Sequence, residues 1–149
     1  MKELKINIPE GYEIDKNNST FKCIKFKKIP ETIIKWDGLN FAVEVQDENE
    51  HFLVSAKPSM VMNWNDAMRY LNDYDDWELP TRKQLQIVAK HIDKINNLME
   101  GNGGYTISGC FWSCEQKDGV CAWYVGMLDG DTHNSNKGNL CYVRTVSAL

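Results

Sequence analysis

Two helix-patterned stretches follow one another directly in this chain, and strand-patterned segments lie on both sides of the pair. Trp64, Ala67, Met68 and Leu71 repeat at i, i+3, i+4 and i+7 behind an Asn63-x-x-Asp66 start signal. That helix is predicted to close near Asp73. Beyond Pro80, Thr81-x-x-Gln84 is a capping box, and Leu85, Val88, Ala89 and Ile92 repeat the same spacing toward an end before Gly101. Gly101-Asn102-Gly103-Gly104 reads as a flexible loop. Strands, two adjacent helices and strands again exclude a βαβ repeat. The order predicts an α+β domain, with two helices packed on a small, mostly antiparallel sheet and long carboxyl-terminal loops.

The strand segments are legible from alternation. Ile6 and Ile8 lead into a turn at Pro9-Glu10-Gly11, and Phe21 to Ile29 is an apolar run laced with Lys and ended by Pro30. Lys on an exposed strand commonly blocks edge-to-edge pairing, although a basic stripe also suits phosphate or acidic lipid. Leu39 to Val45 and Phe52 to Ala56 flank a polar turn and predict a hairpin. Phe111-Trp112-Ser113, Ala122 to Leu128 and Leu140 to Val146 predict the carboxyl-terminal strands. Residues 1–30 are predicted as an amino-terminal β segment, either part of the same domain or an assembly element supporting a homo-oligomer. Residues 31–149 are predicted as the main domain.

Composition narrows the function classes. At 149 residues a chain can bury about 68 to 70% of its unfolded surface, so it needs neither disulfides nor a metal to fold. Residues 1 to 39 hold eight Lys against six acids, leaving nine basic and fifteen acidic residues for the rest. That balance argues against nucleic acid as a partner. No run approaches 18 apolar residues, so no membrane insertion is expected. The amino terminus lacks the apolar h-region of a signal peptide, which predicts a soluble, cytoplasmic product as synthesised. Five cysteines cannot all pair within the chain, which points to free thiols in a reducing compartment.

Several chemical motifs are incomplete. Cys110-x3-Cys114-x6-Cys121, followed by His133 and Cys141, offers only one pair with zinc-ligand spacing. Buried free cysteine is the plainer reading. His51, His91 and His133 have no sequence link to a nucleophilic thiol, and His91 reads as partly exposed scaffold. Gly101 to Gly104 lacks the Lys and Ser/Thr of a P-loop. Asp75-Asp76 and Asp129-x-Asp131 lack an EF-hand ladder and read as solvated loop ends. Trp64-Asn65-Asp66 echoes a sugar-binding tripeptide of calcium-dependent lectins but falls at a helix start, where Asn and Asp act as caps. No cofactor, no metal and no catalytic residue is expected.

The Ala122 to Leu128 segment is the most informative. Side chains alternate along a strand, which places Trp123, Val125 and Met127 on one face and Ala122, Tyr124, Gly126 and Leu128 on the other. One face must be core. The other is either core or a binding floor walled by the polar loops Glu115 to Gly119 and Asp129 to Asn139.

Trp77-Glu78-Leu79-Pro80-Thr81, then Trp112-Ser113, Ala122-Trp123-Tyr124-Val125, Gly130, Lys137 and Tyr142-Val143-Arg144-x-Val146 occur in that order. Together they resemble the C-type-lectin-fold domains of the formylglycine-generating-enzyme-like superfamily. Within it the pattern is most similar to the variable proteins of diversity-generating retroelements of gut bacteria and their phages. The resemblance covers roughly Trp64 to Leu149. It implies a non-enzymatic display or adhesin-type domain, exposed on a virion or cell, in which adenine-directed mutagenesis changes surface positions and spares the scaffold. Spared positions would be Trp112, Ser113, Ala122, Trp123, Val125, Gly130, Lys137, Tyr142, Val143 and Arg144. Diversified positions would lie near Asp118, Val120, Cys121, Tyr124, Gly126, Leu128, Asp129, Asp131, His133, Gly138, Leu140 and Cys141.

With the resemblance, the undecided face becomes a ligand-contact surface for an unknown protein or cell-surface ligand. Tyr124 is its expected anchor, Leu128 an apolar contact, and Asp129, Asp131 and His133 a polar rim. Gly126 would let a partner backbone approach. Lys117, Asp118, Val120, Gly138 and Leu140 complete the expected contact set. Trp112 and Trp123 are expected as core pillars, and Arg144 as a member of a structural hydrogen-bonded pair. The alternative is a metal-assisted oxidase or thiol enzyme of the same superfamily, using Cys114, Cys121 or Cys141.

Overall fold

The computed structural model describes residues 12–14, 26–28, 33–36, 40–47, 49–71 and 77–148. The chain divides into two units, Met1–Glu31 and Thr32–Leu149. In the first, β1 (Tyr12–Ile14) pairs antiparallel with β2 (Phe26–Lys28), Ile14 standing opposite Phe26. The strand predicted at Ile6 and Ile8 and the turn at Pro9 to Gly11 lie outside the described residues, as does the Asp75-Asp76 pair.

The second unit is α+β. β3 (Ile33–Trp36), β4 (Asn40–Asp47) and β5 (Glu50–Ser55) form an antiparallel meander. After β6 (Met60–Met62) come α1 (Trp64–Leu71), α2 (Arg82–Lys90) and α3 (Ile92–Gly101). Then follow β7 (Cys110–Gln116), β8 (Cys121–Gly126), β9 (Thr132–Asn136), β10 (Cys141–Val143) and β11 (Val146–Ala148). Among the described residues of this unit the strands make two sheets, ordered β6-β10-β7-β8-β9 and β11-β5-β4-β3, in which β10 and β7 pair parallel and the other neighbours antiparallel.

The starts of α1 and α2 follow the sequence signals. The Thr81 hydroxyl accepts the Gln84 backbone N–H at 3.1 Å, and Gln84 Oε1 of the side chain accepts the Thr81 N–H at 2.9 Å. Asn63 and Asp66 act reciprocally as well, the Asp66 N–H donating to Asn63 Oδ1 at 2.8 Å and Asn63 Nδ2 to Asp66 Oδ2 at 3.0 Å. Asp66 is thus tied to a helix start. The helix predicted as one piece from Thr81 to Gly101 is two, broken at His91 (φ −107°, ψ 22°). The buried spacing runs on through Leu85, Val88, Ile95 and Met99, so the apolar pattern carries no mark of the break.

Two apolar clusters sandwich the five-stranded sheet. Phe111, Val125 and Met127 pack with Leu85, Val88, Ile95 and Met99 of the helices and with Val43, Phe52 and Val54 of the other sheet. Trp112, Ala122 and Val143 pack with Trp64 and Ala67 of α1 and with Leu79. The prediction of a single small sheet is therefore corrected: the last predicted strand, Leu140 to Val146, is split at Arg144 and Thr145 between two sheets. The polar stretch expected as a long loop after Asp129 contains strand β9, which pairs with β8 from Val125–Thr132 to Cys121–Asn136. Trp112 is fully buried, as expected of a pillar. Trp123 is not one. It is half-buried, with the Arg82 guanidinium 4.5 Å above its ring.

Candidate functional site

Strand register builds the site. Trp112, Tyr124 and His133 are aligned across β7, β8 and β9, so their side chains share one face. Trp112 meets Tyr124 edge-on, ring centroids 6.1 Å apart at 86°, and Tyr124 meets His133 at 5.5 Å and 32°. Such pairs lie within the favourable aromatic range. Burial falls along this row: Trp112 is sealed, Tyr124 half-buried and His133 exposed. Ala122, two residues from Tyr124 on the same face, is fully buried beneath α1. The face is thus core at its Ala122 end and open beyond Tyr124.

Chain crossings frame the open end. From β9 the chain must pass β8 and β7 to reach β10. Trp64 N–H donates to the Lys137 carbonyl at 3.0 Å and Lys137 Nζ lies 4.8 Å from the Trp64 ring centroid. Trp64 packs against Trp112 and Ala122, so the return passes over their face. It delivers Leu140, 70% exposed, beside Cys141, whose Sγ donates to the Cys110 carbonyl at 2.9 Å. Cys110 stands opposite Gly126 in register.

Apart from Leu140, the predicted contact residues fall into two groups. Tyr124, Gly126, Asp129, Asp131 and His133 gather at the carboxyl end of β8, with Leu128 at the tip of the following turn. Leu128 is 100% exposed. It lies beyond the strand, which ends at Gly126, and the turn geometry rather than β alternation points it outward. Lys117, Asp118, Val120 and Gly138 sit at the other end of β8, on the β7–β8 turn and the adjoining β9–β10 turn. Lys137 N–H donates to the Val120 carbonyl between these turns at 2.8 Å. Strand β8 runs between them, which puts Tyr124 about 13 Å and Gly126 about 20 Å along the strand from Val120.

Several of these side chains also shape their own loops. Asp118 Oδ1 accepts the Val120 and Cys121 N–H groups at 2.8 and 2.7 Å. These two bonds, Cys121 first, hold its carboxyl below the ordinary carboxylate range. Asp129 Oδ1 accepts the Asp131 N–H at 2.9 Å. Gly130 takes φ +74°, a conformation that suits glycine. Gly126 differs: a Cβ there would meet Asp129 Oδ1 at 3.4 Å and Cys110 Sγ at 3.9 Å, ordinary contacts, so the position has room for a side chain.

Arg144 belongs to the frame. Only 3% exposed, it donates from Nη1 to the Ser55, Lys57 and Tyr105 carbonyls and from Nη2 to Ser59 Oγ and the Thr106 carbonyl. Its expected role as one half of a pair is corrected: it bridges three backbone segments and lies just past β10.

Among the described cysteines the fold brings Cys110 and Cys141 to the open face; Cys141 is among the expected diversified positions but not in the expected contact set, and Cys110 is in neither. Their signal was the alternation that places Cys110 on the face of Trp112. Burial and the neighbouring Cys110 push the Cys141 thiol up to about 12, and burial also raises Cys114. Cys114 packs with Trp112 and Ala122, whereas Cys121 adjoins Ala122 on the opposite face. Among the described residues no three His, Cys, Asp or Glu side chains are grouped to hold a metal ion. No described helix is long and apolar enough to cross a membrane. Neither a protein-family model nor a curated protein matches the chain.

Proposed function

We propose that the chain is a non-enzymatic ligand-binding domain of C-type-lectin-like fold, with a carboxyl-terminal contact face diversified in the manner of retroelement variable proteins. The supporting observation is the burial gradient from Trp112 through Tyr124 to His133. On this reading, the diversified positions stand directly on a sealed frame. Tyr124 supplies a rigid ring with a hydroxyl, Leu128 and Leu140 supply exposed apolar contact, and Asp129, Asp131 and His133 supply a polar margin. Its ligand would be a protein or cell-surface molecule met by a virion-borne or surface-displayed copy. The β7–β8 turn, with Lys117, Asp118 and Val120, would meet a different part of a large ligand.

The test is a display library in which positions 118, 120, 124, 126, 128, 129, 131, 133, 138 and 140 are randomised together. Folded display close to the parent's, with recovery of binders to unrelated protein targets, supports the reading. General loss of folded display sinks it, as would stoichiometric copper or zinc in the purified protein that is abolished by C114S or C121S. A near-identical, Asn-rich copy of the Trp112 to Val146 coding region beside a reverse-transcriptase gene would give the diversifying mechanism.

A further inference from the structure

Cys110 and Cys141 are neighbours across two strands. The β7–β10 pair is parallel with Tyr142 opposite Phe111, and one step back along both strands sets Cys141 beside Cys110. Steps along a strand alternate faces, so these two side chains share one face while the Phe111 and Tyr142 rings, 5.7 Å apart, share the other. Packing agrees: Cys141 lies against the cluster of Trp112 and Val143, and Trp112 is two residues from Cys110 on β7. Adjacent strands run about 4.7 to 4.9 Å apart. That lies inside the Cα separation of about 4.4 to 6.8 Å that a disulfide spans.

The sulfur positions fit the same span. Cys141 Sγ donates to the Cys110 carbonyl at 2.9 Å, so it already lies against the Cys110 backbone and reaches the neighbouring thiol by turning about its own Cα–Cβ bond. Cys110 has room to turn as well. Its register partner on β8 is Gly126, and even a Cβ placed there would stand 3.9 Å from Cys110 Sγ. The two thiols differ in access, Cys110 being exposed and Cys141 half-buried. Burial first, and then the nearby Cys110, raise the Cys141 pKa to about 12. Cys110 is therefore the thiol that meets an oxidant.

We propose that Cys110 and Cys141 form a redox clasp, free thiols in reducing surroundings and a disulfide across β7 and β10 on exposure to a small-molecule disulfide. The Cys110 thiolate attacks one sulfur of that disulfide and expels a thiolate. The Cys141 thiolate then attacks the Cys110 sulfur and expels the second. Two protein thiols are oxidised, the reagent is reduced to two thiols, and the two thiol protons pass to the leaving thiolates. The bond would fix the β9–β10 return, which ends at Cys141, to the central strand of its sheet. The clasp does not depend on the ligand-binding reading, so either can fail alone.

The test incubates the full chain, dilute and folded, with glutathione disulfide at mildly alkaline pH, quenches with N-ethylmaleimide and maps the peptides. Trypsin is combined with chymotrypsin, which cuts after Phe111 and Trp112 and so separates Cys110 from Cys114. Groups held together have an effective concentration on the order of mM or more, so with about 1 mM reagent internal closure should outrun accumulation of the mixed disulfide. The expected result is a peptide pair joining Cys110 to Cys141 within one monomer. The thermal midpoint should rise by at least about 5 °C and return with dithiothreitol. C110S should lose both effects, and C114S should keep both. Cys110 that ends as the glutathione adduct beside a free Cys141, or that joins Cys114, Cys121 or a second chain instead, would overturn the proposal, as would a cross-link that leaves the midpoint unchanged. The peptide map and midpoint of the unaltered chain decide the matter even where a variant does not fold.

Discussion

Lys137 holds Trp64 twice. Its carbonyl accepts the Trp64 backbone N–H at 3.0 Å, while its ammonium lies 4.8 Å from the indole centroid and donates to Gln116 Oε1 at 2.8 Å. One residue thereby fixes the β9–β10 return over the start of α1. Lys137→Met keeps the aliphatic stem and removes the charge, so urea unfolding should show a loss of about 0.5 to 1 kcal/mol. Hydrogen exchange should quicken at the Trp64 and Lys137 amides, which span this junction. Unchanged exchange there would mean the return is held by its backbone bonds alone.

Ala122 and Leu128 mark opposite ends of tolerance. Ala122 has no exposed surface and lies beneath α1, so Ala122→Leu should overpack the cluster and cost about 1 to 3 kcal/mol. Leu128→Asp touches only solvent and should stay within about 0.5 kcal/mol of the parent in thermal unfolding. Similar losses from both would contradict the division between frame and contact surface.

Thiol reactivity should separate neighbouring cysteines. Cys110 is exposed, whereas Cys141 is raised to about 12 by burial and by Cys110, and Cys114 is raised by burial and then by Glu115. Thiolate is the reacting form. In mildly alkaline buffer, iodoacetamide followed by peptide mapping should label Cys110 at least about tenfold faster than Cys141. Labelling of Cys141 at the rate of Cys110 would refute the burial argument.

Acid should weaken the junction between β4 and the helix break. Asp47 Oδ2 accepts Lys90 Nζ at 2.9 Å and contacts His91 Nε2 at 2.7 Å, and these partners, Lys90 first, hold its carboxyl below the ordinary range. A depressed folded pKa gives stability that is present above the unfolded value and lost as pH falls through the folded one. Asp47→Asn should be less stable than the parent at neutral pH, and the gap should close below about pH 4. A gap that persists into acid would place the effect in packing instead of charge.

The helix starts were legible because their signals are local: Asn63 with Asp66 and Thr81 with Gln84 meet within one turn. The β4–β5 hairpin was legible from alternation around a polar turn. Strand β9 was not. Thr132-His133-Asn134-Ser135-Asn136 has no apolar alternation and becomes a strand by pairing along β8, a tertiary cause. The break at His91 escaped for the opposite reason, since the buried spacing continues through it with no Gly or Pro. In the contact set, Tyr124 and Gly126 followed from period two, whereas Leu128 is exposed because the strand has already ended. Trp123 read as core by type, yet a cation from α2 covers its ring.

The split at Arg144 and Thr145 also bears on when the molecule can fold. β10 is the inner strand that joins β6 to β7, and β11 completes the edge of the other sheet beside β5. Neither sheet can close until β10 and β11 have left the ribosome, so nascent chains halted before β10 would carry two open strand borders at once. Such unpaired borders offer a template for pairing with another chain, a hazard that lasts until β10 and β11 have docked.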